Sequence, residues 1–318
     1  MTVSYWIALI LSLIATIDNH VFLVEASDIG VCYGTVILGI RNQDLPALAA
    51  SQEAVNAWFT ANVEPYLDGI QLSYIAVGNE VIPGPLGNYV FAVMTFLRRI
   101  LDGRQLSGIT MTTVVPGTAL GSSHPPSSSV FAAEAVEVMT DIVLFLALTN
   151  SSLLINVLPL LCLQNVHVLS KTFLEPSLHQ NAQGNSSLIW RGVTLCSIHY
   201  QNPGVQDGPL GYYNMFDAIV DSFYTAIEKV HGHNVTVVVS ESGWLSAGSG
   251  EFNTPELAGT YNRKFIEHIS SRVGTPKRPG QYNAGYIFAM FKENQKPEGE
   301  EKHFGLFYPN MEPVYPVF

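Results

Sequence analysis

The stretch Val-Val-Val-Ser-Glu-Ser-Gly-Trp, residues 237–244, constrains the fold of this chain more than any other. Its three consecutive β-branched residues predict a strand buried on both faces, which is typical of parallel sheets. The strand ends in small and polar residues, and a carboxylate, Glu241, stands at that end. In α/β barrels the catalytic groups lie at the carboxyl ends of the strands, so Glu241 is a candidate catalytic residue. A structural salt bridge is the alternative, and this stretch alone favours neither.

Strand-like and helix-like stretches alternate along the rest of the chain, which predicts a parallel sheet covered by helices. Further strands are predicted at residues 29–34, 36–40, 74–80, 109–115, 153–161 and 284–291, and helices at 45–67, 88–101, 129–139, 212–230 and 254–271. No glycine-rich nucleotide-binding motif follows a strand, which disfavours an open nucleotide-binding sheet. We therefore predict an α/β fold, the (β/α)8 TIM barrel, in which seven strands are evident and the eighth is not.

Composition limits the domain count and the class of partner. The chain has 318 residues, of which 13% are charged and 47% hydrophobic, enough for one large domain with an extensive core. A net charge of −11 disfavours nucleic acid and anionic membranes as partners but is compatible with a neutral substrate. We expect a monomer. The odd cysteine count indicates free thiols at Cys32, Cys162 and Cys196, with a Cys162–Cys196 bridge as the alternative.

The amino-terminal residues 1–26 are predicted to be a signal peptide. The apolar run at 7–17 is short for a bilayer span, and Val-Glu-Ala at 24–26 suits signal peptidase. Retention as a signal anchor is the alternative. Residues 27–318 would then form a single secreted barrel domain with no stable membrane anchor. The acceptor triplets at Asn150, Asn185 and Asn234 fit a secreted glycoprotein.

A second carboxylate, Glu80, also ends a predicted strand, Tyr-Ile-Ala-Val-Gly-Asn-Glu at 74–80. In a barrel all strand ends meet at one face, so Glu80 and Glu241 can approach each other despite their separation in sequence. Two carboxylates about 5 Å apart suit glycoside hydrolysis with retention of configuration. Asn79, just before Glu80, is placed to hold a sugar hydroxyl or the nucleophile. Accidental surface carboxylates are the alternative.

Six motifs together resemble one family. They are Gly-Val-Cys-Tyr-Gly (30–34), Tyr-Ile-Ala-Val-Gly-Asn-Glu-Val (74–81), Val-Val-Val-Ser-Glu-Ser-Gly-Trp (237–244), Gly-Thr-Pro-Lys-Arg-Pro-Gly (274–280), Tyr-Ile-Phe-Ala-Met-Phe (286–291) and His-Phe-Gly-Leu-Phe (303–307). In this order they resemble the plant endo-1,3-β-glucanases of glycoside hydrolase family 17. The resemblance implies a (β/α)8 barrel and retaining hydrolysis of internal β-1,3-glucosidic bonds in callose or fungal wall glucan. It also implies no cofactor, no metal, a role in plant defence, and secretion to the apoplast and cell wall or to the vacuole.

The resemblance also assigns roles to individual residues. Glu80 matches the family's acid/base, Glu241 its nucleophile and Tyr33 a tyrosine that lines the sugar site. Glu293 and Lys296 match a charged pair that supports the site after the last strand. Two aromatic residues within the motifs, Trp244 and Phe304, have either a sugar-stacking or a packing role, and we favour packing.

The chain departs from the family pattern between Gly34 and Val36, at residues 156–160 and across residues 162–209, where it matches poorly. The family has helix 1 and strand 2 where this chain has only Thr35 between two strand-like stretches, so we expect a barrel that lacks this βα unit and has Tyr33 displaced. The family's Asn-Val-Tyr-Pro-Tyr is Asn-Val-Leu-Pro-Leu at 156–160, which removes two tyrosines from the groove. These departures leave three alternatives: a glucan-binding pseudoenzyme, a glucan transglycosylase, or a chain that does not fold stably.

Overall fold

The computed structural model describes residues 22–24, 36–158, 203–248, 252–281 and 284–317. These residues fall into two compact units, the first ending at Val114 and the second beginning at Val115. Several predicted features lie outside the described residues. They are the strand at 29–34 with Tyr33, the position next to Thr35 where helix 1 and strand 2 are expected to be missing, and the three cysteines. The predictions made for them stay predictions.

Parallel strands form the centre of the first unit. Strands β2 (Val36–Ile40), β3 (Leu72–Asn79) and β4 (Thr110–Val115) pair in parallel in that order. Ile75 in the middle of β3 is opposite Leu38 on one side and Met111 on the other, and all three side chains are buried. The sequence prediction of parallel strands is therefore confirmed for this unit.

Strand β1 (Phe22–Val24) pairs with β2 in the antiparallel direction, with Leu23 opposite Ile37. This strand lies inside the predicted signal peptide. Cleavage after Ala26 would remove β1 and leave the outer edge of β2 without that partner. Cleavage of residues 1–26 therefore decides whether β1 or β2 is the outer strand of the first unit.

Three helices cover the strands of the first unit: α1 (Leu45–Leu48), α2 (Gln52–Asn62) and α3 (Val90–Gly103). The prediction of one continuous helix over 45–67 was wrong. Ser51 has an extended backbone, and its side-chain oxygen accepts a hydrogen bond from the Ala54 N–H, so it caps a new helix rather than continuing the old one. The helix predicted at 88–101 is confirmed as α3.

The second unit repeats the pattern with strands β7 (Leu153–Val157), β10 (Val237–Ser242) and β11 (Gly285–Ile287), which pair in parallel in the order β7-β10-β11. All six residues of β10 are buried, as the sequence predicted. Full burial of a valine side chain contributes roughly 1.5–3 kcal/mol, so Val237, Val238 and Val239 are a major anchor of this unit.

Helices α4 (Val136–Thr149), α5 (Met215–Lys229) and α6 (Pro255–Ser271) complete the second unit, with two small hairpins. The hairpins are β5 (Leu120–Ser122) with β6 (Val130–Phe131), and β8 (Val205–Asp207) with β9 (Leu210–Tyr212). The helix predicted at 129–139 was misplaced, because Val130 and Phe131 pair as a strand and the apolar run that follows continues the helix to Thr149. None of the described helices is long and apolar enough to cross a bilayer.

Candidate active site

Glu80 directly follows β3 in the first unit and has a backbone conformation that side-chain-bearing residues rarely adopt. Its φ angle is +57°, in the left-handed region, and its N–H donates to the Val114 carbonyl at 2.9 Å. Such a conformation costs about 1–3 kcal/mol and is concentrated at functional sites. The Glu80 side chain is exposed to solvent, and Asn79 beside it is half-buried.

Asn42 fixes the turn that carries this carboxylate. Its side-chain amide donates to the Asn79 carbonyl at 2.8 Å, and its oxygen accepts from the Asn79 N–H at 2.8 Å. Both backbone groups of Asn79 are therefore held by one side chain, just before the strained Glu80. Asn42 could not be recognised as a site residue from the sequence, because nothing local links it to a residue 37 positions later.

Glu241 lies near the carboxyl end of β10 in the second unit and is only 7% exposed. It is opposite Asn156 of β7, where the register of the two strands shifts. The serine before it, Ser240, donates to the Asn156 side-chain oxygen at 2.8 Å. This bond orients the Asn156 amide next to the strand position of Glu241.

The serine after Glu241 is fixed from two sides. The Ser242 hydroxyl donates to the Val157 carbonyl at 2.8 Å and lies 2.6 Å from the Tyr261 hydroxyl on α6. Since a serine has a single hydroxyl proton, Tyr261 is the donor in the second bond. A Cβ on Gly243 would lie 2.0 Å from the Phe288 carbonyl oxygen, so only glycine permits this approach of the backbone.

Glu293 and Lys296 form an ion pair in the second unit, with the Lys296 ammonium 2.7 Å from a Glu293 oxygen. The ammonium also lies 3.5 Å from Glu301 and 5.4 Å from the centre of the Phe288 ring. Burial opposes the charge of Lys296, but the two carboxylates outweigh it, so its pKa lies above the ordinary value. The pair is the one expected from the sequence, whereas Glu301 could not be expected, because no local pattern connects it to Lys296.

The predicted site residues thus fall in two places. Asn79 and Glu80 adjoin each other in the first unit, whereas Glu241, Glu293 and Lys296 belong to the second. Tyr33 lies outside the described residues. In the sequence, Asn156 stands out only as part of the motif at 156–160 that differs from the family pattern. The register of β7 against β10, which places Asn156 opposite Glu241, makes it a candidate site residue.

Two aromatic residues of the motifs serve as packing. Trp244 has no exposed surface, and its indole N–H donates to the Phe252 carbonyl at 3.0 Å. Phe304 is also buried and packs against Phe288 with ring centres 5.3 Å apart. Neither ring is available as a flat surface for a sugar, in agreement with the packing role favoured from the sequence.

Parallel strands that alternate with helices, with carboxylates at their carboxyl ends, are the arrangement of α/β-barrel glycoside hydrolases. Within the described parts of the chain, no group of three or more histidine, cysteine, aspartate or glutamate side chains could hold a metal ion. The carboxylates at these strand ends can act as acids, bases or nucleophiles.

Comparisons with known proteins place the chain within that class. The profile of glycosyl hydrolases family 17 matches residues 15–318, and the chain belongs to this family. A probable glucan endo-1,3-β-glucosidase of Arabidopsis thaliana, BG5, is 44% identical over 284 residues, which are 89% of this chain and 74% of the relative.

Two solved structures agree with the family assignment. One, from a study of two plant β-glucan endohydrolases with distinct substrate specificities, is 37% identical, with a TM-score of 0.76 over 92% of this chain and 85% of the other. The second, a β-1,3-glucanase and allergen of Cryptomeria japonica pollen, is 35% identical, with a TM-score of 0.77 over 89% and 83%. The chain is a glycosidase-family protein with the TIM-barrel type of fold.

Proposed function

We propose that this protein is a secreted hydrolase of internal β-1,3-D-glucosidic linkages in β-glucans such as callose or fungal wall glucan. Its family and the activities named for its relatives support hydrolysis of β-1,3-glucan. The observation that carries the proposal is Glu241, a buried carboxylate at a strand end, flanked by two serines whose hydroxyls fix the strand.

In the proposed mechanism Glu241 is the nucleophile. Its carboxylate attacks the anomeric carbon, and Glu80, in its acid form, donates a proton to the leaving glycosidic oxygen. Water then attacks the glycosyl–Glu241 ester while Glu80 takes up the proton. Two inversions give overall retention. The strained backbone at Glu80 and the Asn42 clamp on Asn79 support a role that demands one fixed side-chain direction.

The remaining assigned residues act around this pair. Lys296, held between Glu293 and Glu301, supplies a fixed positive charge that stabilises neighbouring carboxylates in their ionised form. Asn79 and Tyr33 are proposed to contact the sugar. The reaction needs no metal and no cofactor, because the two carboxylates supply both the proton and the nucleophile.

Two substitutions test the assignment of roles separately. Glu241→Gln should abolish release of reducing ends from laminarin. Glu80→Gln should lower kcat by about 10²–10⁴-fold on laminarin, the usual contribution of a general acid. With an aryl glycoside whose leaving group needs no protonation, the Glu80 variant should form the glycosyl-enzyme at nearly the normal rate. Equal activity of wild type and Glu241→Gln on laminarin would refute the proposal.

Rescue by an added nucleophile tests retention directly. In Glu241→Gly, azide should attack an activated β-glucoside and give the α-glucosyl azide, whereas in Glu80→Gly it should give the β-anomer. Proton NMR distinguishes the two anomers. The same anomer from both variants would show that the two residues do not have the opposite roles assigned to them.

The alternatives give different products. A glucan-binding pseudoenzyme would bind laminarin but release no more reducing ends than the Glu241→Gln control. A transglycosylase would produce chains longer than the substrate. Since related β-glucan endohydrolases have distinct substrate specificities, laminarin should be compared with a mixed-linkage β-glucan. Faster hydrolysis of the mixed-linkage polymer would overturn the proposed linkage but not the mechanism.

A further inference from the structure

The two described acceptor triplets, Asn150-Ser-Ser and Asn234-Val-Thr, meet in the second unit although they are 84 residues apart. Their third residues are in direct contact, with the Ser152 and Thr236 hydroxyls 2.7 Å apart. The Leu153 N–H donates to the Thr236 carbonyl at 2.9 Å, which fixes the two segments to each other. The triplets therefore form one surface feature, which we call the acceptor patch.

Both asparagines are exposed on this patch. Asn150 follows the last residue of α4 in the left-handed conformation, with φ +52°, and is exposed. Asn234 is exposed as well, and its side-chain nitrogen donates to the Ala147 carbonyl at 2.9 Å. An asparagine nitrogen bonded to a sugar retains one N–H, so this hydrogen bond is compatible with a glycan at Asn234.

The patch lies at the opposite end of the strands from Glu241. Thr236 directly precedes β10, and Glu241 is near the carboxyl end of that strand. At about 3.3 Å per residue, five residues separate the two positions by roughly 16 Å along the strand. A sugar chain at the amino end therefore points away from the end where Glu241 is proposed to act.

Apolar side chains are exposed beside Asn150. Leu148, two residues earlier on α4, is 88% exposed, and Leu144, four residues before Leu148 on the same helix side, is also exposed, so the two leucines form a short apolar stripe. Exposed leucine at the end of a helix is a liability for a concentrated secreted protein, because apolar patches promote association. An oligosaccharide attached at Asn150 would cover this stripe.

We propose that Asn150 and Asn234 are both N-glycosylated, and that the glycan at Asn150 shields the Leu148 surface while the catalytic end stays uncovered. In each transfer the asparagine Nδ2 bonds to C1 of the first sugar. The bond from C1 to the lipid-pyrophosphate donor breaks, and one Nδ2 proton passes to the released pyrophosphate. The inference rests on the proposed secretion, because the lipid-linked donor is met only in the secretory pathway.

Peptide mass spectrometry of the full chain expressed in plant cells tests occupancy. After enzymatic release of glycans, a modified asparagine appears as aspartate, and we expect this change at both Asn150 and Asn234. The third triplet, at Asn185, reports on entry into the secretory pathway. A glycan at Asn185 with none at the other two would overturn this proposal and leave secretion standing. No glycan at any of the three, in protein retained inside the cells, would overturn both.

Matched variants test shielding. Asn150→Gln should aggregate faster than wild type at equal concentration, and Asn150→Gln/Leu148→Lys should return to the wild-type rate. Thr236→Ser keeps both the acceptor triplet and the hydroxyl, and serves as the control with unchanged glycan mass. Hydrolysis of laminarin should change by less than about twofold in all of them, as for surface changes remote from a site. Equal aggregation of Asn150→Gln and wild type, with both folded by circular dichroism, would refute the shielding role.

Discussion

Asp221 is a fully buried carboxylate in α5 that fixes the Gly-Thr-Pro-Lys-Arg-Pro-Gly segment. It accepts a hydrogen bond from the Thr275 hydroxyl and another, at 2.8 Å, from the Lys277 N–H. Burial raises its pKa from 3.8 to about 6, although these hydrogen bonds oppose the rise. The segment is thus held by a group whose charge changes within a mildly acidic range.

The pKa of a histidine on α6 is also raised in the folded protein. The side chain of His268 on α6 lies 2.9 Å from Asp217 on α5. Burial opposes the imidazolium charge, but the Asp217 carboxylate outweighs it, so the pKa of His268 lies above its ordinary value of 6.5. The imidazolium–carboxylate pair between the two helices is complete at acidic pH and is lost as the pH rises through the folded-state pKa.

The pH dependence of stability follows from the raised pKa values of Asp221 and His268. The folded state holds the Asp221 proton to a higher pH than the unfolded state, so stability falls as the pH rises from about 4 to 6. The pKa rise corresponds to roughly 3 kcal/mol at most. His268 acts in the same direction above pH 6.5. The unfolding free energy should therefore be larger at pH 5 than at pH 7.

Asp221→Asn should remove most of the slope between pH 4 and 6, because the amide does not titrate. Denaturant titrations at several pH values measure it, with Asp141→Asn on the exposed side of α4 as the control. A variant with the same slope as wild type would show that Asp221 does not control this dependence.

At the scale of elements, α6 determines the end of strand β10. Tyr261 donates to Ser242, which in turn bonds Val157 on β7, so one helix side chain links the two strands beside Glu241. The Tyr261 ring also stacks on Phe265, with an interplanar angle of 9°. A side chain of α6 thus fixes the end of β10 through a hydrogen bond.

Tyr261→Phe keeps the ring and removes this donor. We expect a loss of about 1 kcal/mol in unfolding free energy, the usual contribution of a buried hydrogen bond. We also expect a lower kcat with little change in KM, because Glu241 would be less well oriented while sugar contacts persist. Tyr315→Phe is the control, since Tyr315 accepts from Asn262 on the same helix. Equal kcat values for the two variants would contradict a positioning role for Tyr261.

The outer edge of β2 depends on how the amino terminus is processed. The sequence predicts cleavage after Ala26, whereas residues Phe22–Val24 pair with β2. N-terminal sequencing of the secreted protein should find Ser27 first. The mature form would then lack β1, and the unpaired edge of β2 should make it more prone to association than a form that retains residues 1–26. A mature protein that begins before Phe22 would show that the strand is retained.

At the scale of the whole molecule, the net negative charge is expected to disfavour polyanionic ligands. With a net charge of −11 and a proposed neutral substrate, kcat/KM on laminarin should change little as ionic strength increases. A carboxymethylated β-1,3-glucan should be hydrolysed more slowly at low salt, and added salt should reduce the difference. A steep salt dependence on the neutral polymer would indicate that charged groups dominate binding.

The proposed absence of helix 1 and strand 2 is also a property of the whole chain. We propose that the two strand-like stretches on either side of Thr35 follow each other without a crossover, which would leave Tyr33 displaced. A cDNA sequence across residues 30–40 tests this directly. An additional βα segment in the transcript would restore the family's pattern, and activity measurements should then be repeated on the longer chain.

The sequence by itself determined the α/β class, the burial of β10 and the strand-end positions of Glu80 and Glu241. These properties depend on local signals, because β-branched runs define buried strands and the residue after such a run is necessarily at the strand end. The family's motifs are also local, so the packing roles of Trp244 and Phe304 and the Glu293–Lys296 pair could be predicted.

Only the tertiary structure decided which distant groups fix these residues. Asn42 on Asn79, Glu301 beside Lys296 and Tyr261 on Ser242 are contacts between segments that no periodicity connects. The helix boundaries at Ser51 and Val136 also depended on the tertiary structure. A helix cap or a short strand pairing differs in free energy from continued helix by only about 1 kcal/mol, so the local sequence does not fix such a boundary. Side-chain hydrogen bonds form between whatever the fold brings within 3 Å, and that proximity is a property of the folded chain rather than of any stretch of sequence.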